Sequence, residues 1–401
     1  MIDFAQALNI IIEHTPGPGN VEEVPLGQSC GRILAREISS DVELPPFNRS
    51  AMDGFAVRAS DLAQTPVTLD VVMDVPAGGV PKGRIGPGQA ASIMTGAPVP
   101  EGADTVIMVE WTSGFGDKRV VISRGAEKGL NISPSGEILK VGQTILGTGT
   151  EIGVEEAGAL AAVGCDPVPV FSRPSVAVLS TGDELVPPSE VPGPSQIRDC
   201  NGPAMVGFLR DLGFDPVDLG RASDDLEATR VALEKGLEYD CLLVSGGVSA
   251  GAYDFVQDVL SNLGVNVHTS RVAVKPGKPT VFGTRENHMV FGLPGNPVST
   301  MVIARVMVEP ALRKRLGCTE FGPRMIRATL QGDIRKKPDR LWFVYGVLGL
   351  GLQVNVTPIK NRGSADIPSA TQGDCLIVAP KGVDFVEKGT EVDVVVWNRC
   401  L

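Results

Sequence analysis

Residues 175–185 read SVAVLSTGDEL, an apolar run that stops abruptly at Ser180-Thr181-Gly182-Asp183-Glu184-Leu185. A short aliphatic run closed by a turn signal predicts a strand over 175–180 with a loop behind it. The next segments keep that rhythm. NGPAMVGFLRDLG (201–213) predicts a helix with Asn201 as N-cap and Gly213 beyond its end. PVDLG (216–220) predicts a strand, DDLEATRVALEKG (224–236) a helix, YDCLLVS (239–245) a strand and DFVQDVLSNLG (254–264) a helix. Alternation of this kind predicts a doubly wound α/β domain over residues 170–318, with its ligand beyond the carboxyl ends of the strands.

Outward from that centre the pattern changes. PVSTMVIARVMVEPALRKRLG (297–317) predicts a closing helix that Pro310 should kink or break. Residues 319–401 hold short strands such as MIRATL, FVYGVL, DCLIVAP and VDVVVW, which predict a C-terminal small β barrel. On the other side, residues 21–139 carry VTLDVVMDV, QAASIMTG, DTVIMVEW and RVVIS between Gly, Pro and Asp, a β-rich second domain. The remainder, 1–20 and 140–169, predicts a linking unit of two short helices, 4–13 and 151–163, packed on each other because neither is long enough to hold a core alone. The fold class is therefore multidomain, α/β plus β-rich domains.

At 401 residues, with 43% hydrophobic and 21% charged residues, the chain has ordinary globular composition and room for several domains. Acidic residues outnumber basic ones 47 to 36, a formal charge of -11, which argues against a broad footprint on nucleic acid or an anionic membrane. The first residues lack a positive region and a small-residue cleavage site, and no apolar stretch is long enough to span a bilayer, so a cytoplasmic protein is expected. Seven scattered cysteines suit a reducing compartment, and three histidines outside any metal motif leave a cation to oxygen ligands.

Four loops carry the chemistry. Asp183 and Glu184 close the first strand. Ser245-Gly246-Gly247-Val248-Ser249-Ala250-Gly251 offers converging backbone amides and two hydroxyls to an oxyanion at a helix start. Asp254 is an N-cap by default, yet it also sets a carboxylate beside that phosphate, where Mg2+ would need one. Lys275-Pro276-Gly277-Lys278-Pro279, after a strand RVAV, presents two ammonium groups from a proline-restricted loop. Gly292-Leu293-Pro294-Gly295-Asn296-Pro297-Val298-Ser299 forms another strand-to-helix turn and pocket wall. Asp224 and Asp225 follow a strand as well; Asp224 with Glu227 has capping-box spacing, and either aspartate is placed to give a cation its second carboxylate. Asp53-Gly54 and Met94-Thr95-Gly96 read as turns by themselves.

The ordered set SAMDGFAV (50–57), MTGAPVP (94–100), STGDEL (180–185), SGGVSAGAYDF (245–255), VKPGKP (274–279) and GLPGNPVS (292–299) resembles the molybdopterin molybdenumtransferase family, also called MoeA and homologous to the E domain of gephyrin. The similarity runs from about residue 4 to the end. The resemblance implies a four-domain homodimer whose central domain is like that of MogA and MoaB, the pterin adenylyltransferases. It implies insertion of molybdate into adenylated molybdopterin with release of AMP, Mg2+ assisting, and the adenylyltransferase and acceptor molybdoenzymes as partners.

On that resemblance, Ser245, Gly246, Gly247, Ser249 and Gly251 would cradle the phosphate, and Asp224 and Asp254 would hold Mg2+. Glu184 would order water or the pterin, Lys275, Lys278, Pro279 and Ser299 would shape the oxyanion pocket with Asn296 in its wall, and Asp53 and Thr95 would enter from the other subunit. Two departures stand out. An NxRxxGED stretch common in relatives reads Asn131-Ile132-Ser133-Pro134-Ser135-Gly136-Glu137-Ile138, and an arginine after an aromatic pair is replaced by Tyr345, leaving Arg340 or Arg362 to take over. The preceding adenylyltransferase step and a non-catalytic gephyrin-like scaffold are the competing readings. Molybdate and tungstate, tetrahedral dianions of similar size, are not distinguished.

Overall fold

A computed structural model describes residues 1–247 and 256–397. Its centre is a six-stranded sheet of β1 (Val176–Thr181), β2 (Val217–Ala222), β3 (Cys241–Ser245), β4 (Asn266–Thr269), β5 (Val281–Arg285) and β6 (His288–Leu293), in the spatial order β2-β1-β3-β6-β5-β4. The first four neighbours run parallel, while β5 and β4 each turn antiparallel to the strand before them. β1 and β3 are buried on both faces, which is why they read as unbroken apolar runs. Strand periodicity then sorts their side chains: Val176, Val178, Cys241 and Leu243 enter one core, whereas Ala177, Leu179, Leu242 and Val244 enter the other. Helices Asn201–Asp211 and Pro297–Ile303 cover the first face, and Leu226–Gly236 with Val256–Asn262 cover the second.

The closing helix is not broken at Pro310. The chain passes from Pro297–Ile303 through a π-helical turn, Ala304–Val308, into Glu309–Arg315 without breaking. Pro310 has no N–H to give the preceding turn, and the π-helical turn directly upstream is where the helix adjusts to it. The predicted pairing of the two short helices is also corrected. Phe4–His14 buries Ala7 and Ile11 in the central core beside Ala311 and Leu312, whereas Val154–Ala162 buries Leu160 with Val24, Leu34 and Val170 in a separate cluster.

Two passes of extended chain join that cluster to the β-rich domain. Ile33 bridges to Glu151, Ile38–Ser39 pairs with Thr144–Leu146, Leu44 bridges to Leu139 and Arg49–Ser50 pairs with Ile132–Ser133, all antiparallel. At the end of this two-stranded ribbon lies a five-stranded sheet in which Gly54–Val57 is flanked by Thr105–Met108 and Gln89–Ile93. Gly54 is required there, because a Cβ would meet the Ile107 carbonyl oxygen at 1.9 Å.

At the other end, Met325–Leu330, Leu341–Gly349, Asn355–Pro358, Cys375–Ala379 and Glu391–Val396 pair in a ring that closes on itself, the expected small barrel. Its outward-facing Phe343, Tyr345, Leu376 and Val395 join the central core, so barrel and central sheet share one apolar interface. No helix among the described residues is long and apolar enough to cross a membrane.

Candidate functional site

The strand order β2-β1-β3 reverses direction at β1, and the crevice at that switch point is where a ligand fits an open α/β sheet. A cavity of about 630 Å³ opens there, lined by Thr181 and Glu184 after β1, Asp224 after β2, Ser245, Gly246 and Gly247 after β3, and Asn296 and Ser299 after β6. The glycines are demanded by geometry. Gly246 has φ +95° and Gly247 φ +64°, and a Cβ on Gly246 would lie 2.4 Å from the Thr181 carbonyl oxygen. Thr181 is 4% exposed, and among the described residues its hydroxyl has no hydrogen-bond partner although it borders the cavity. A buried hydroxyl left in that state is a donor awaiting an acceptor.

Asn201 organises this end and was misread in the sequence as a simple N-cap. It occupies the first helical position, while Asp199 does the capping by accepting from the Asn201 and Gly202 amides, both at 3.0 Å. The Asn201 side chain is thereby released to donate to Ser245 Oγ at 2.8 Å and to the Gly295 carbonyl at 2.7 Å. Two loops 44 and 94 residues downstream are tied to one amide. No local pattern announces such a role; an asparagine where a helix begins beside a glycine loop is the one available hint.

The capping of Leu226–Gly236 is likewise shifted by one residue. Asp225, not Asp224, accepts from the Glu227 and Ala228 amides at 3.0 and 2.9 Å. Asp224 instead exchanges bonds with Asp183, each carboxylate accepting the other's amide at 3.0 and 3.3 Å, and turns toward the cavity. Glu184 lies against Gly182, whose absent Cβ would fall 2.6 Å from Glu184 Oε2. Among the described residues no group of three metal-ligating side chains forms. Glu184 and Asp224, two carboxylates on one cavity, still fit Mg2+, which takes one or two carboxylates plus phosphate oxygens rather than a full protein cage. Ser249, Gly251 and Asp254 lie outside the described residues.

Pro279, Asn296 and Ser299 also line a second cavity of about 950 Å³, between the 275–279 loop and the barrel. The expectation that this loop follows a central strand is corrected: Val274–Lys275 pairs in parallel with Leu341–Trp342 and extends the barrel. Among the described residues Lys275, Lys278, Arg335, Arg340, Lys360 and Arg362 line the chamber against a single carboxylate, Asp333. Such an excess of cations over anions suits a dianion. Burial first, and then the neighbouring Arg340 charge, holds the Lys275 pKa below the ordinary lysine value. The Lys278 carbonyl accepts from Val272 and Thr280, which fixes the backbone of the loop.

The structure thus brings Glu184, Asp224, Ser245, Gly246, Gly247, Asn296, Pro279, Ser299, Lys275 and Lys278 around two adjoining spaces. It does not bring Asp53 or Thr95 to either. These two form their own unit on the β-rich domain: Asp53 accepts the Thr95 amide at 2.6 Å and its hydroxyl at 2.7 Å, which holds its carboxyl below the usual range. Of the departures, Ser133 stands directly across the ribbon from Arg49, and Tyr345 is buried against Trp397 with its phenol pushed up to about 12 by burial. Arg340 and Arg362 both reach the cationic chamber.

Three family models match in chain order: the MoeA N-terminal region, domains I and II, over residues 2–164; a probable molybdopterin binding domain over 177–314; and the MoeA C-terminal region, domain IV, over 327–397. A molybdopterin molybdenumtransferase of Nostoc is 34% identical across 97% of this chain and 92% of its own length. One from Haemophilus influenzae is 34% identical over the full length of both. The crystal structure of a molybdopterin biosynthesis MoeA protein from Pyrococcus horikoshii superposes with a TM-score of 0.86 at 29% identity, over 99% of this chain and 100% of that one. With its domain order, its switch-point crevice and this likeness from end to end, the chain belongs to the molybdopterin molybdenumtransferase, or MoeA, family.

Proposed function

We propose that this chain is a transferase of molybdenum cofactor biosynthesis that inserts molybdenum into molybdopterin, using molybdate and adenylated molybdopterin and releasing AMP. One observation carries the reading: a phosphate-sized cradle with carboxylates adjoins a chamber lined by six cations, and Pro279, Asn296 and Ser299 belong to both. A substrate with a phosphoanhydride at one end and an oxyanion acceptor at the other fits that division. The adenylyltransferase and scaffold alternatives are not favoured, since the named transferases match along the whole chain.

Ser245, Gly246 and Gly247 hold the phosphate through amides and a hydroxyl, with the rest of that loop, Ser249 and Gly251, assigned by sequence. Water adds across the phosphoanhydride, a new P–O bond forming as the bridging one breaks, and Glu184 orients that water. Lys275 and Lys278 hold molybdate close to the pterin thiolates, so that entry of the metal follows loss of AMP without diffusion. A divalent cation, held by Asp224 with Asp254, would neutralise charge on the departing phosphate when bound. Asp53 and Thr95 complete the site from the second protomer of a homodimer in the cytoplasm. An adenylyltransferase supplies the substrate, and apo-molybdoenzymes take the product.

The test is AMP release from adenylated molybdopterin with molybdate present, read together with activation of an apo-molybdoenzyme. Lys278→Ala and Asp254→Asn should each abolish release in a protein that stays folded. Undiminished turnover in either would overturn the role given to that residue, and an ATP requirement would favour the adenylyltransferase.

A further inference from the structure

Lys275 Nζ lies 3.9 Å from the centroid of the Trp342 ring, and the backbone imposes that meeting. Lys275 and Trp342 are register partners in a parallel pair, the Leu341 amide donates to the Ala273 carbonyl at 3.2 Å, and Arg340 reaches the Val274 carbonyl at 3.5 Å. The barrel side is anchored as well. Buried Lys336 donates to the carbonyls of Lys337, Arg340 and Val383 at 3.1, 3.2 and 2.9 Å, which fixes the turn leading into Trp342. Asp339, the acid on that turn, is ion-paired with Arg340 at 2.9 Å and acts on Lys275 only through its field, and among the described residues no carboxylate lies in ion-pair contact with Lys275.

We propose that Trp342 is the positioning residue for Lys275, its indole face holding the ammonium by cation–π attraction so that the lysine's N–H donors stay available to a tetrahedral oxyanion in the chamber. The contrast with an ion pair is the physical point. A carboxylate in that place would cancel the charge and occupy one or more donors, whereas a ring face attracts the charge and accepts little hydrogen bonding. The C-terminal barrel therefore contributes to anion affinity through a residue that need not touch the anion. This inference rests on the reading of Lys275 as an oxyanion ligand.

The experiment is a double-mutant cycle on molybdate binding, measured by titration calorimetry of the full-length protein saturated with AMP. Trp342→Leu should weaken molybdate binding about tenfold, and Trp342→Phe, which keeps a ring face, should recover most of that loss. In a Lys275→Ala background Trp342→Leu should add less than about a twofold effect, the sign of a coupled pair. Lys275→Ala that weakens binding while Trp342→Leu adds its full factor in both backgrounds would overturn the positioning role alone. Lys275→Ala with unchanged binding would overturn the reading of Lys275 and the proposal with it. Because Trp342→Leu could loosen the barrel, the Phe variant carries the test where the Leu protein melts early, and failure of Phe to exceed Leu in affinity would also overturn it.

Discussion

The Asn201 side-chain amide stands 2.8 Å from the Ser245 hydroxyl, so the first turn of one helix is locked to the last residue of β3. The same amide holds Gly295, and two loops at the mouth of the switch-point cavity are thereby tied by one side chain.

Asn201→Ala should therefore lower stability by about 1–3 kcal/mol, the effect of leaving the buried Ser245 hydroxyl without its donor, while the exposed Gly295 carbonyl can turn to water. Thermal denaturation checks the stability change, and AMP release should show a raised KM for the adenylated pterin. Asn201→Asp should do worse on KM, since it turns a donor into an acceptor beside a carbonyl and a phosphate. An Ala variant with the parent's KM would show that the loops hold themselves.

Gly246→Ala places a methyl 2.4 Å from the Thr181 carbonyl oxygen at a φ of +95°. Strain of about 1–3 kcal/mol is expected, with the loop displaced from β1. Binding of AMP should fall more than tenfold while far-ultraviolet dichroism is unchanged. Normal AMP affinity would mean that the cradle lies elsewhere.

Mixing two inactive variants tests whether Asp53 acts across a dimer. On the proposed reading Asp53→Ala and Lys278→Ala damage opposite halves of a composite site, so dissociating and reassociating them should regenerate about one quarter of the parental turnover. Sedimentation of the mixture checks whether the reassociated particle is a dimer. No recovery in an exchanged dimer would place Asp53 in the same site as the Lys278 of its own chain, or in none.

Lys275 loses its proton earlier than an exposed lysine because burial, then Arg340, disfavours its charge. A depressed pKa means the cation is present at low pH and lost as pH rises, so molybdate affinity should decline on the alkaline side before the ordinary lysine range near about 10.4. Lys275→Arg, charged throughout, should push that decline upward. Identical alkaline limbs in the two proteins would remove Lys275 from the anion site.

Much of this molecule is legible along the chain because its signals are local. The apolar runs at 176–179 and 241–244, each closed by a turn signal, read as buried strands, and glycines at 246 and 247 answer a backbone approach that the neighbouring strand creates. Reading fails where a partner is remote. Asn201 depends on residues 44 and 94 positions away, and Trp342 matters because an extra strand brings Lys275 beside it. Two adjacent aspartates, Asp224 and Asp225, look interchangeable until the helix start chooses Asp225 as its cap and leaves the other for the cavity. Pro310 was expected to interrupt a helix that accommodates it through a wider turn.

The ribbon formed by residues 33–50 and 132–151 is tied by antiparallel contacts at four places along it, so each crossing of the chain holds the register of the other. Its length then acts as a ruler for how far out Asp53 is offered. Adding two residues to each strand would move that carboxylate outward by about 7 Å at the usual strand rise, with its grip on Thr95 intact. Reach and local chemistry are thus set by different parts of the chain, and each could drift during evolution without disturbing the other.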